Sequence, residues 1–202
     1  MAPSRFTRAG GFGALLGGVL WLLSLVLIQF VPSAPVVLMP ATILFVVIGF
    51  MALQARHAGR SGMLGRAGYA LGLIGCVLIA LGSIVQMDVG LSGLGTTLGP
   101  WRFHGVALGA IAFGIGATLS AMSAIWLNVL PRFSPIPLMI GGLGLAAAGS
   151  LTVARQVLDG VSTDVMPFEA LPLMALWAVF GAGWLWLGFL MMSERTPDKS
   201  WQ

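Results

Sequence analysis

The chain has 202 residues, 58% of them hydrophobic and only 8% charged, with a formal net charge of +4 at pH 7. A soluble domain carries roughly 25% charged residues, so this composition cannot cover a surface that faces water on all sides. One cysteine, Cys76, excludes an intrachain disulfide and a cysteine metal cluster, and no basic stripe interleaved with stacking aromatics points to nucleic acid.

Charged residues are missing from Ala9 to Ala55, Ala67 to Met87, Phe103 to Pro131, Phe133 to Ala154 and Ala170 to Ser193. A helix rises about 1.5 Å per residue and needs about 20 apolar residues to cross about 30 Å of hydrocarbon. The first stretch is long enough for two crossings and each of the others for one. These runs are apolar on every face, unlike the alternating strands of a membrane barrel. The fold class expected is all-α: a polytopic transmembrane six-helix bundle.

In chain order, residues 1–9 form an N-terminal segment and 10–192 the six-helix transmembrane domain. The first helix is predicted over 10–30. It exceeds the usual apolar core of a cleaved signal peptide, so it is read as a retained span. Pro32 and Pro35 break the chain before a second helix over 36–54, since proline lacks an amide donor and fixes its own backbone. Arg56, His57 and Arg60 occupy the next loop, with Arg66 at its end and a third helix over 67–87. A glycine-rich loop over 88–102 is expected, then a fourth helix over 103–129. Pro131 and Pro135 frame a tight turn around Arg132 before a fifth helix over 136–152. A polar loop over 153–168 leads to a sixth over 169–192 and a tail over 193–202.

The basic residues distribute unevenly. Arg5, Arg8, Arg56, Arg60, Arg66, Arg132, Arg195 and Lys199 fall on the side of the termini, and only Arg102 and Arg155 on the other. The positive-inside rule then places both termini in the cytoplasm. Trp101 and Trp126 fall near the expected membrane interfaces. Arg8-Ala9-Gly10 and Arg66-Ala67-Gly68 match, and the same offset pairs Leu15, Gly17, Val19, Leu20 and Leu23 with Leu73, Gly75, Val77, Leu78 and Leu81. This is the pattern of three parallel helical-hairpin repeats. The stretch QARHAGRSGMLGRAGYALGLIG at 54–75 and the turn Val129-Leu130-Pro131-Arg132-Phe133 resemble a loose group of small bacterial membrane proteins of unknown function. That resemblance implies a six-helix topology in a bacterial inner membrane and carries no activity.

Few residues offer chemistry. No helix core holds an ionisable side chain, the usual mark of a proton- or ion-coupled site. Ser24, Thr42, Ser83, Thr118, Ser120, Ser123 and Ser150 are the deepest polar groups, each expected to bond back to a carbonyl of its own helix. His57 and His104 lie at opposite membrane faces, about 30 Å apart, so one haem cannot take both as ligands. A single-ligand cofactor site at His104, beside Trp101, is the remaining candidate. Asp88, Asp159, Asp164 and Glu169 are candidates for an oxygen-rich metal site at the outer face. Gly13 and Gly17, Gly68 and Gly72, and Gly105 and Gly109 each put two small residues on one helix face. Packing inside the bundle is favoured for them over self-association.

The functional expectation is a non-catalytic membrane component or accessory subunit, without cofactor or nucleic-acid partner. The alternative is a carrier or binder of a hydrophobic or neutral small molecule, such as a lipid or quinone. No nucleophile–base pair suggests an enzyme. The topology makes a direct prediction: a phosphatase fused after Gln202 should be inactive and a fluorescent protein at the same point bright, because the tail stays in the cytoplasm.

Overall fold

A computed structural model describes residues 5–31, 34–57, 62–92, 95–128, 130, 133–158 and 167–193. They form six α-helices: α1 (Arg5–Leu27), α2 (Ala34–His57), α3 (Met63–Ser92), α4 (Gly95–Trp126), α5 (Ile136–Leu158) and α6 (Pro167–Ser193). Every one contains a segment long and apolar enough to span a bilayer, with mean hydropathy between 1.7 and 2.2. Each helix also turns large apolar side chains outward: Val26 on α1, Leu44 on α2, Val77 on α3, Leu108 on α4, Leu143 on α5 and Phe189 on α6 are all exposed. In water such a perimeter would be costly, and in lipid it is the expected solvent contact. The chain is therefore a multi-pass membrane protein.

Several helix ends differ from the sequence expectation. The stretch 88–102, expected as a loop, is helical up to Ser92 and again from Gly95. Glycine disfavours a helix by only about 1 kcal/mol per residue, and beside a bilayer the need to pair every backbone group outweighs that preference. At the other extreme α1 stops early. Ile28 still bonds to Ser24, but Gln29 and Phe30 switch to the tighter pattern, donating to Val26 and Leu27. The α4 terminus is set by Asn128, whose φ of 49° is left-handed, a conformation asparagine adopts more readily than most residues.

Each helix packs on its neighbours in the chain, and α6 returns to α1, closing a ring; the α2–α3 contact is the least extensive. Glycine lets the backbones meet along nearly every seam. In α3–α4, a Cβ on Gly116 would collide with the Gly72 backbone, and one on Gly109 would lie 2.7 Å from the Ile79 nitrogen. In α1–α2, one on Gly49 would lie 2.7 Å from the Ala14 Cβ. In α1–α6, one on Gly188 would lie 2.5 Å from the Leu15 nitrogen. In α4–α5, one on Gly114 would lie 2.6 Å from the Ala146 nitrogen.

The three hairpins α1–α2, α3–α4 and α5–α6 close on corresponding contacts. Ala14 meets Gly49, Gly72 meets Gly116, and Leu138 meets Gly183. One turn further on, Gly17 meets Val46, Gly75 meets Phe113, and Gly141 meets Phe180. Positions on the even helices recur at one constant interval, and three sets of them are fully or nearly buried: Val46, Phe113 and Phe180; Phe50, Ala117 and Trp184; Leu53, Ser120 and Leu187. In one set a small residue sits opposite large ones. Where α4 carries Ala117, α2 and α6 carry Phe50 and Trp184, whose rings lie 6.0 Å apart.

The seams predict a sharp contrast. Gly116→Ala should lower stability by about 1–3 kcal/mol, because the new methyl meets backbone that cannot rotate away. Gly105→Ala should be neutral or stabilising, since among the described residues its Cβ would meet nothing closer than the Gly82 Cα at 3.8 Å. Thermal unfolding of the detergent-solubilised chain compares the two.

Candidate functional site

The structure places only part of the residues singled out from sequence. Asp88 lies in the C-terminal part of α3, Trp101 and His104 in the N-terminal part of α4, and Glu169 at the start of α6. Their side chains, and Asp159 and Asp164 altogether, lie outside the described residues. Among the described residues no three His, Cys, Asp or Glu side chains come together. The six glycines sit at helix seams: Gly13 against Ile48, Gly17 against Val46, Gly68 against Ser120, Gly72 against Phe50, Gly109 against Ile79, and Gly105 in ordinary contact with Gly82.

The bundle axis is filled by aromatic rings. Phe113 meets Phe180 edge-on at 5.3 Å and stacks on Trp184 at 6.4 Å. Trp21 reaches in from α1, 5.1 Å from Phe180, while its Nε1 donates to the Trp177 carbonyl at 3.0 Å. That bond satisfies a buried indole and ties the first helix to the last. Edge-to-face pairs of this kind are favoured by the ring quadrupoles, each worth about 0.5–1.5 kcal/mol beyond area burial. The Trp184 Nε1, in contrast, is buried without a hydrogen-bond partner.

Most intramembrane hydroxyls bond back as expected. Ser24 donates to Trp21 O, Thr42 to Leu38 O, Ser83 to Ile79 O, Thr118 to Gly114 O and Ser150 to Ala146 O, all at 2.7–2.9 Å. These bonds neutralise the hydroxyls at no cost to neighbouring helices. Ser120 departs from the pattern. It is only 6% exposed, and its Oγ is buried with no hydrogen-bond partner.

Ser120 forms part of a crevice between α2, α3 and α4, with an empty volume of about 220 Å³ that includes its open mouth. Phe50, Leu53, Gln54, Gly65, Tyr69 and Ser123 complete the lining. Tyr69 and Gln54 are half-buried, and the Tyr69 ring stacks on Phe50 at 5.6 Å. Ser120 and Ser123 form the deeper, buried part. Three hydroxyls and one amide therefore converge on one small space. This lining can hydrogen-bond a polar group, and among the described residues it holds no carboxylate or imidazole for proton transfer. Sequence reasoning passed over Gln54 and Tyr69. The one tyrosine in the chain, four residues after Gly65, was the signal available.

No protein-family model matches the chain, nor does any curated protein or solved structure.

Rings on the axis and on the perimeter should respond differently to truncation. Trp184→Ala removes a fully buried side chain and should cost about 3–5 kcal/mol. Trp186→Ala, at a position 49% exposed, should cost less than about 1 kcal/mol. Unfolding midpoints of the two variants give the comparison.

Proposed function

We propose that this chain is a non-catalytic component of a bacterial inner-membrane assembly, an accessory subunit with both termini in the cytoplasm, built from three repeats of one helical hairpin. The filled axis carries this reading. A ring of six helices could enclose a path for a substrate, but here Trp21, Phe50, Phe113, Phe180 and Trp184 interlock across it. A rigid, apolar-walled body of this kind suits lateral contact with other membrane subunits better than turnover. The corresponding seam contacts of the three hairpins support the repeat.

A second reading, a binder or carrier of a hydrophobic or neutral molecule such as a lipid or quinone, draws support from the α2–α3–α4 crevice. The crevice encloses no room even for a water molecule, whereas ordinary small-molecule pockets enclose roughly 300–1,000 Å³. The support therefore extends to its polar lining and not to an enclosed cavity.

Extraction of the native protein in a mild detergent, followed by mass spectrometry of the intact particle, tests the first reading. Partners in stoichiometric amount are expected. A lone, monodisperse chain overturns the accessory-subunit assignment.

A further inference from the structure

The seams of the ring differ in kind as well as in extent. The two least extensive are α2–α3 and α5–α6, on opposite sides of the ring. Cutting there divides the helices into two bodies, α6–α1–α2 and α3–α4–α5. Inside each body glycine brings main chain against main chain. Gly49 lies on Ala14 and Gly188 on Leu15 in the first body, and Gly116 on Gly72 and Gly114 on Ala146 in the second. Hydrogen bonds from side chains follow the same division. Trp21 to Trp177 and Gln29 to Met174 join α1 and its final turn to α6, and Thr118 to Met139 joins α4 to α5.

The two seams between the bodies are built differently from each other. At α5–α6 main chain still meets glycine: Gly141 lies on the Phe180 backbone and Gly183 on that of Leu138. At α2–α3 glycine meets only the tip of a side chain, the Phe50 ring over Gly72, and that ring stacks on Tyr69 at 5.6 Å. Packed main chain holds a fixed spacing, whereas an aromatic side chain can change rotamer. Unmet hydrogen bonds fall on the same boundary. Among the described residues, two buried side chains keep an enclosed donor without a partner, Ser120 and Trp184. Ser120, on α4, shares the crevice with Phe50 and Leu53 of α2, and its counterparts in the other hairpins, Leu53 and Leu187, are each 2% exposed. Trp184, on α6, stacks on Phe113 of α4. A buried donor without a partner costs stability, and both of these stand where one body meets the other.

We infer that the ring is a hinged clamp: the bodies α6–α1–α2 and α3–α4–α5 each move as one, turning about the α5–α6 seam and parting at α2–α3. Packed helices move against one another in this way when the elements on either side keep their own packing. Parting withdraws Phe50 from Gly72 and Tyr69. It also loosens Phe113 from the rings of the first body, Phe50, Phe180 and Trp184. In the closed ring the crevice between α2, α3 and α4 has no room for a water molecule, so the seam is shut until the bodies separate. The inference goes beyond the accessory-subunit reading and does not rest on it, because the motion belongs to the isolated chain.

Distances between pairs of spin labels test the clamp in the full chain, reconstituted in lipid nanodiscs, with Cys76→Ala removing the native thiol. The labelled positions are all exposed, so the labels face lipid. Val37→Cys with Ile84→Cys spans the α2–α3 seam and should show a second, longer distance population. Val26→Cys with Val37→Cys lies within the first body and Leu108→Cys with Leu151→Cys within the second, and each should show one narrow population. Leu143→Cys with Trp186→Cys, across the hinge seam, should do the same. Phe50→Ala removes the ring contacts with Tyr69 and Phe113 across the boundary and should raise the ratio of long to short population roughly tenfold. Phe12→Ala, at an exposed ring, should leave that ratio unchanged. If Phe50→Ala does not fold, Tyr69→Ala removes the stacked contact from the other side and should raise the same ratio. The proposal is overturned if the Val37–Ile84 pair gives one population as narrow as the pairs within a body, if all four pairs broaden alike, or if removing the ring leaves the ratio unchanged.

Discussion

Backbone-to-backbone approach at glycine is the contact on which the rest of this bundle depends. In lipid there is no hydrophobic gain from bringing two apolar helices together, because the acyl chains are as apolar as leucine. What remains is close packing, and glycine permits the closest. Gly72 and Gly116 let α3 and α4 touch main chain to main chain, Gly114 and Gly142 do so for α4 and α5, and Gly11 and Gly188 for α6 and α1. With the walls drawn together in this way, the axis narrows until side chains from opposite helices meet. The interlocked rings follow from the seams: Phe50 reaches both Phe113 and Trp184 because the helices carrying them stand so close.

Much of this architecture is legible in the residues. Five charge-free stretches, the first long enough for two crossings, become six spans, and the hydroxyls of Ser24, Thr42, Ser83, Thr118 and Ser150 bond back within their own helices. Spacings such as Gly68 and Gly72 mark a helix face that needs a close neighbour. Other features depend on information that no single segment carries. Helix continues through Asp88 to Ser92 and resumes at Gly95 because backbone pairing outweighs glycine's local preference, and composition alone favours a loop there. Ser120 is indistinguishable from the other hydroxyls until the registers of three helices are known. Its significance emerges only once α2, α4 and α6 are aligned by their contacts, which sets it beside Leu53 and Leu187.

That alignment also clarifies how the hairpins differ. Where contacts correspond, the chain tolerates wide exchange of side-chain size: Val46, Phe113 and Phe180 share one position, and Phe50, Ala117 and Trp184 another. Against that tolerance a polar residue stands out more than a size change does, because a hydroxyl cannot be compensated by a larger ring across the axis.

Ring closure has a consequence for biogenesis. The inner faces of α1 that receive α6, at Gly11 and Gly18, and the Trp21 indole that donates to Trp177, have no counterpart until the last helix has left the ribosome and entered the bilayer. Throughout synthesis the opening helix therefore presents a bare main-chain surface and an unsatisfied indole to lipid. A nascent chain of this design keeps that surface of α1 unpaired until α6 has entered the bilayer beside it.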